Sequence, residues 1–180
     1  AQVIRDLIKR TQIDPKLVED LIMGCAFPEG EQGFNVARLV GFLADLPLNV
    51  GGMTVNRFCG SSMQSIHIAA GAIQMGAGEA FICAGLESMT RVPMTGFNPL
   101  PHPELFKSFP QAYMGMGETA ENVAKKYKLS RKEMEEFAVL SHQKAFEAQK
   151  SGLLKDEIVP IQTKAGLVTE DGCIRPETTL

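Results

Sequence analysis

Short apolar runs alternating with helix-length amphipathic stretches constrain this chain more than any other feature. Residues 17–23 (LVEDLIM) read as a strand that follows an Asp14-Pro15 turn and ends at Gly24. After the glycine-containing loop PEGEQG, the pattern predicts a helix over residues 34–46, stopped by Pro47. Gly51-Gly52 punctuate, residues 53–58 read as a buried strand, and a second helix is expected over residues 59–75, closed by Gly76 and Gly78. Phe81, Ile82 and Cys83 make a third strand ending at Gly85. Strands separated by helices at this spacing cannot be joined as hairpins, so the expectation is an α/β layered domain with parallel strands. Ahead of it, Val3, Ile4, Leu7 and Ile8 share one helical face.

The texture changes after Glu87. Residues 91–117 carry five prolines and little periodicity, which marks an excursion from the layered core. Two helices are then predicted, over residues 118–127 and 131–150. The second carries a capping box, with Ser130 as the cap and Glu133 three residues on, and Gly152 closes it. Residues 1–87 are therefore read as a sheet domain and residues 88–180 as part of a largely helical insertion.

Composition narrows the function classes. At 180 residues and 44% hydrophobic the chain can bury a core of ordinary size. A formal net charge of -3 argues against a nucleic-acid partner, which would call for a basic face. No run reaches the ~18 apolar residues that a membrane-spanning helix needs. Charges at Arg5, Asp6, Lys9 and Arg10 exclude a signal peptide at the start. Cys25, Cys59, Cys83 and Cys173 are widely spaced with no CxxC pair, so no metal site is expected. A reduced, cytoplasmic setting fits best, with any cysteine chemistry coming from a free thiol.

The stretch VNRFCGSSMQ, residues 55–64, places Cys59 where a strand gives way to a helix. Unpaired backbone N–H groups and the positive end of the helix dipole lie at such a junction. Both favour thiolate, the nucleophilic form. Gly60, Ser61 and Ser62 leave the approach uncrowded. On residue types alone, a buried structural cysteine remains the competing reading. Cys25 and Cys83 fit core positions, and Cys173, in the polar turn DGCIRP, fits the surface. His67, His102 and His142 are weak candidates for a base. The run Lys125, Lys126, Lys128, Arg131, Lys132 reads first as a solvated face, with contact to ligand phosphates as the alternative.

These residues resemble the thiolase family. VNRFCGSSMQ is similar to its nucleophile motif, and AGLESMTRVPM to the segment after its next strand. MGETAENVAKKYKLSRKEMEEFAVLSHQKA resembles its loop-domain helices, and KDEIVPI with IRPETTL the stretch beyond them. The resemblance implies a layered αβαβα fold in the whole enzyme, built of two related halves. This chain would be an incomplete N-terminal half, lacking the first and last strands, with part of the loop domain. It implies an acyl-thioester intermediate on Cys59, cleavage of 3-ketoacyl-CoA by CoA to acetyl-CoA and a shortened acyl-CoA, and no permanently bound cofactor. The implied partners are acyl-CoA and CoA, a second copy in a dimer or tetramer, and a subunit of a β-oxidation multienzyme. The family's GHP histidine, CxGxG cysteine and NEAFA asparagine are not in this sequence, so these residues alone are expected to be inactive.

Within the family, CGSSMQ and VPM resemble the bacterial degradative type. Gly115, in YMGMG, stands where acetoacetyl-CoA thiolases often carry histidine, and Met116 matches a position beside the bound acyl-thioester. Met116 is therefore the second expected site residue. The alternatives are an acetoacetyl-CoA thiolase, a non-catalytic thiolase-like binding or assembly module, a related condensing enzyme acting on acyl carrier protein, and a cysteine hydrolase pairing Cys59 with a histidine.

Overall fold

The computed structural model describes residues 1–180 and divides them into two compact units, Ala1–Pro99 and Leu100–Leu180. The first is an α/β layer built from helix α1 (Gln2–Thr11), strand β1 (Val18–Gly24), helix α2 (Val36–Leu43), strand β2 (Gly51–Val55), helix α3 (Ser61–Gln74) and strand β3 (Ala80–Gly85). The three strands are parallel in the order β2-β1-β3, which makes the earliest strand the central one. Central position explains its sequence. Leu21, Ile22 and Met23 are an unbroken buried run because both faces of β1 are covered.

Strand alternation sorts the two faces. Leu21 lies beside Gly52 and Ile82, and Gly52 approaches α2 so closely that a methyl there would sit 2.6 Å from Arg38 Cα. Thr54, on the same face, accepts a bond from the Ala37 N–H through Oγ1 at 3.2 Å. The hydrophobic core gathers on this side, with Val18, Leu21, Met23, Val36, Ala37, Val50 and Ile82 among its members and Ile4 contributed by α1. Ile22, Gly24, Cys83 and Gly85 alternate onto the opposite face. There α3 lays down a narrow stripe of buried Ser61, Ser65 and Ala69, at helical spacing, and the Cys83 thiol donates to Ser65 O at 3.5 Å. A methyl on Gly24 would lie 2.8 Å from Ser61 Cβ and closer still to backbone of Ser61 and Ser62, and one on Gly85 would strike Ser62 Oγ. The two glycines let the first turn of α3 rest on the carboxyl ends of β1 and β3.

Several expected boundaries move. The helix expected over residues 34–46 spans only Val36–Leu43, because Phe34 (φ 56°) and Asp45 (φ 60°) take left-handed backbone on either side of it. The strand expected to run to residue 58 ends at Val55, and α3 starts at Ser61 rather than at Cys59. Residues 88–97 stay on the first unit. The Ser88 N–H donates to Gln32 Oε1, Arg91 pairs with Glu31, the Phe97 N–H donates to Glu29 Oε2 at 2.8 Å, and Val92 is buried.

The second unit contains α4 (Pro103–Ser108), α5 (Met116–Tyr127), α6 (Arg131–Lys150) and a small antiparallel hairpin of β4 (Ile161–Thr163) and β5 (Gly166–Val168). Helix α6 has the expected bounds and both arms of the capping box: the Glu133 N–H donates to Ser130 Oγ at 3.3 Å, and the Ser130 N–H to Glu133 Oε2 at 2.7 Å. Helix α5 begins at Met116, ahead of the expected residue 118, with Gly115 at its N-cap. The hairpin and α4 have no counterpart in the sequence reading. No helix is long and apolar enough to cross a membrane.

Candidate active site

Strand β2 delivers the chain to the carboxyl edge of the parallel sheet, the edge where α/β layers present ligand-binding loops. The connection to α3 is a tight turn, not a continuous helix. Asn56 Oδ1 accepts from the Phe58 N–H at 2.8 Å, turning the backbone back on itself, and Phe58 takes φ 45°. A bulky residue in that region costs about 1–3 kcal/mol, so the surroundings must hold it there. They do so at several points. The Phe58 ring packs on Phe27, with centroids 5.8 Å apart, and Ser61 Oγ accepts from the Arg57 N–H at 2.9 Å while donating to Phe58 O at 2.5 Å. The Gly60 and Ser61 N–H groups bond back to Arg57 and Phe58 carbonyls, each at 3.0 Å.

Cys59 is lifted out of the core by this turn. It is an exposed free thiol directly before α3, whose N-cap, Gly60, supplies no side chain to bond the first-turn N–H groups. The Gly60 and Ser61 N–H groups are spent on the turn itself, so what the arrangement offers a substrate is the exposed thiol at the head of α3. The other thiols of the first unit are engaged. Cys25 is buried against Glu87, 3.9 Å from Oε1, and burial first and the Glu87 charge second push its thiol up. Cys83 is half-buried on the α3 face, a partial departure from the expected core position. Cys173 is exposed in the second unit, as expected.

Met116 stands at the start of α5 with 69% of its surface exposed, and a methyl at Gly115 would meet nothing within 4 Å. His67 is exposed on α3. His102 is exposed, and its backbone N–H, not its imidazole, donates to Tyr113 Oη at 2.9 Å. His142 Nδ1 accepts the Arg175 N–H at 3.1 Å. Two of the five residues of the basic run are paired within α6: Arg131 with Glu135 at 2.6 Å and Lys132 with Glu136 at 3.6 Å. An open hollow of about 220 Å³ lies beside them, lined by Glu121, Arg131, Met134, Glu135 and Ala138, and contains neither a nucleophile nor a neutral base. What the sequence reading missed is the Asn56 side chain. Asparagine two residues ahead of Phe58 is an Asx-turn signal, and it marks the end of the strand.

A parallel sheet with a helix following each of its first two strands, and an exposed thiol on a strained turn between β2 and α3, make the first unit an α/β layer domain. Comparison with known proteins gives the family. Residues 1–180 match the thiolase N-terminal domain, and the chain belongs to the thiolase family. It is 44% identical to a 3-ketoacyl-CoA thiolase of Bacillus subtilis over 189 aligned residues, covering 98% of this chain and 48% of that protein. A 3-ketoacyl-CoA thiolase of Marinobacter nauticus is 45% identical, with 99% of this chain and 47% of the relative covered. One of Pseudoalteromonas translucida is 44% identical, with 100% and 48% covered. The chain spans about half the length of the curated relatives it matches.

Proposed function

We propose that the protein containing this chain is an acyltransferase that cleaves 3-ketoacyl-CoA through an acyl-Cys59 intermediate. The observation that carries this reading is the turn itself, which exposes Cys59 at the carboxyl edge of the sheet while Cys25 is buried and Cys83 is half-buried. The Cys59 thiolate adds to the C3 carbonyl, and the C2–C3 bond then breaks. Its electron pair stays on C2 as an enolate, which takes a proton and leaves as acetyl-CoA. A second CoA adds through sulfur to the Cys59 thioester and carries off the shortened acyl group, returning the thiolate. Splitting the cleavage into two acyl transfers lowers each barrier. The histidine and second cysteine that the family resemblance implies for the proton transfers are not among residues 1–180.

Met116 belongs beside the acyl-thioester in this reading, and glycine at 115, where the resemblance has histidine in acetoacetyl-CoA thiolases, favours acyl chains longer than acetoacetyl. The names of the relatives favour the 3-ketoacyl class over acetoacetyl-CoA. CoA enters as substrate, not as a resident cofactor. Residues 88–180 belong to the loop-domain part of the sequence in this reading, although 88–99 pack with the first unit. The reading includes a cytoplasmic dimer or tetramer serving β-oxidation, in contact with a multienzyme partner subunit.

The test is to incubate the full-length protein with acetyl-CoA and map the acetyl thioester by mass spectrometry. The label is expected on the peptide containing Cys59, and Cys59→Ser is expected to abolish label and turnover. A thioester on Cys25, Cys83 or Cys173, or turnover surviving in Cys59→Ser, overturns the assignment.

A further inference from the structure

We infer that Asn56 is a positioning residue for Cys59, setting the thiol by holding two stretches of backbone at once. The inference rests on the reading of Cys59 as the nucleophile. One end of the Asn56 amide, Oδ1, accepts the Phe58 N–H at 2.8 Å and so fixes the left-handed residue directly ahead of Cys59. The other end, Nδ2, donates to Ala26 O at 2.9 Å, just beyond the end of the central strand. Ala26 is itself clamped, since its N–H donates to Glu87 Oε2 at 2.7 Å, and Glu87 Oε1 accepts Gln32 Nε2, also at 2.7 Å. A continuous line of bonds therefore runs from the segment after β3, through the end of β1, to the turn that presents the thiol.

The other braces of the turn do not reach so far. Ser61 bonds only within the turn, and Phe27 touches Phe58 through its ring. Asn56 alone ties the turn by hydrogen bonds to both its own backbone and the sheet edge. Asparagine fits because one planar group offers an acceptor and a donor at opposite ends. The other braces survive the loss of Asn56, but they hold the turn only to itself and to the Phe27 ring. Without Asn56 the turn, and Cys59 on it, can therefore shift relative to the sheet edge. Acyl transfer is sensitive to such displacement, while the binding of the remote parts of CoA is not.

The experiment compares Asn56→Ala, which loses both bonds, with Asn56→Ser, which keeps a short acceptor for the Phe58 N–H but cannot span to Ala26. Asparagine-to-aspartate is avoided because a carboxylate would add a charge beside the thiol. In the full-length protein the readouts are the rate of acetyl-thioester formation on Cys59 from acetyl-CoA and the steady-state kcat and KM, with the urea midpoint as control of folding. Asn56→Ala is expected to slow acylation and kcat by about 100-fold, with KM changed less than about threefold. Asn56→Ser is expected to fall between it and the unmutated protein, and if Asn56→Ala does not fold, Asn56→Ser carries the test. Acylation of Cys59 at the unmutated rate in the folded variants, or a change confined to KM, overturns the positioning role. Absence of any label on Cys59 in the unmutated protein is a different result, because it removes the nucleophile reading first.

Discussion

The two units of this chain reach order by different routes. Every buried hydrophobic residue except Ala124 lies in Ala1–Pro99, where three strands separated by helices close on one core. In Leu100–Leu180 the longest helix, α6, buries none of its twenty residues. Its order comes from within: a capping box at Ser130 and two i,i+4 ion pairs, Arg131–Glu135 and Lys132–Glu136. Such local contributions are each a few tenths of a kcal/mol to about 1 kcal/mol. Burial of a single leucine is worth about 1.5–3 kcal/mol. The comparison teaches that a helix can be clearly specified by its own sequence and still hold little of the fold together. The candidate nucleophile belongs to the other kind of region, where position follows from pairing between distant segments.

Truncating one side chain in each unit gives the largest expected contrast. Leu21 is fully buried between the sheet and α2, so Leu21→Ala should cost about 2–5 kcal/mol in urea unfolding of the full-length protein. Phe137 on α6 is 75% exposed, and Phe137→Ala should stay within about 0.5 kcal/mol. A Phe137→Ala loss as large as that of Leu21→Ala would break the comparison, by showing that α6 is covered in the full-length protein.

Gly24→Ala comes next, at about 1–3 kcal/mol, because the added methyl meets backbone of Ser61 and Ser62 that cannot rotate out of the way. It probes position as well as stability, since α3 must shift and the Cys59 turn with it. Acylation of Cys59 is therefore expected to slow by more than it does in Phe137→Ala, measured as the rate of thioester formation. Equal rates in the two variants would mean that the close seating of α3 on β1 does not set the thiol.

Legibility in the sequence follows the same division. Helix α6 is readable to its ends because Ser130, Glu133 and Gly152 lie within a few residues of those ends. The alternation of strands and helices in the first unit, and hence the parallel sheet, is also readable. Spacing along the chain leaves strand order open, although the continuous apolar run at Leu21-Ile22-Met23 carries the signal of a central strand. The strand-to-helix setting of Cys59 is legible, and Asn56 carries the signal of its turn, but Phe58 beyond it reads as one more apolar strand residue and masks the break. Left-handed backbone at Phe34 and Phe58 leaves no mark in residue type, Asp45 carries only a weak one, and each displaces a boundary. The β4–β5 hairpin has three-residue strands, too short for period-two alternation to emerge.

A smaller effect is expected from the cap. Ser130→Ala removes the acceptor for the Glu133 N–H and should cost about 1 kcal/mol. Because α6 buries nothing, the loss should stay in its first turn, read as faster amide exchange there with β1 unchanged. Exchange that also rises in β1 would show that the two units share stability.

The smallest expected effect is also the one in which the units should move in opposite directions, on acidification. In the first unit, burial pushes the Asp20 carboxyl above its ordinary value, and the Leu21 N–H and the Arg38 guanidinium pull it only partly back. Asp20 Oδ1 is buried without a hydrogen-bond partner, which is the local cause of that penalty. A raised folded pKa means that the folded state holds its proton longer than the unfolded chain. The associated stability is present in full below about 4, the ordinary carboxylate range, and is lost as pH rises through the folded value. In the second unit, the Ser130 backbone N–H and then the Ser130 hydroxyl hold the Glu133 carboxyl below its ordinary value. Its contribution is present above about 4 and is lost as pH falls through the folded value. Acidification from neutral pH should thus relieve β1 and loosen the start of α6. Asp20→Asn should increase protection of β1 amides at pH 7, and Glu133→Gln, which keeps the shape of the cap but not its charge, should decrease protection of the first turn of α6. Both differences should fade below about pH 4. Amide exchange corrected for the intrinsic rate at each pH reads both regions in one sample. If the two substitutions shift protection in the same direction at pH 7, the opposite settings assigned to Asp20 and Glu133 are wrong.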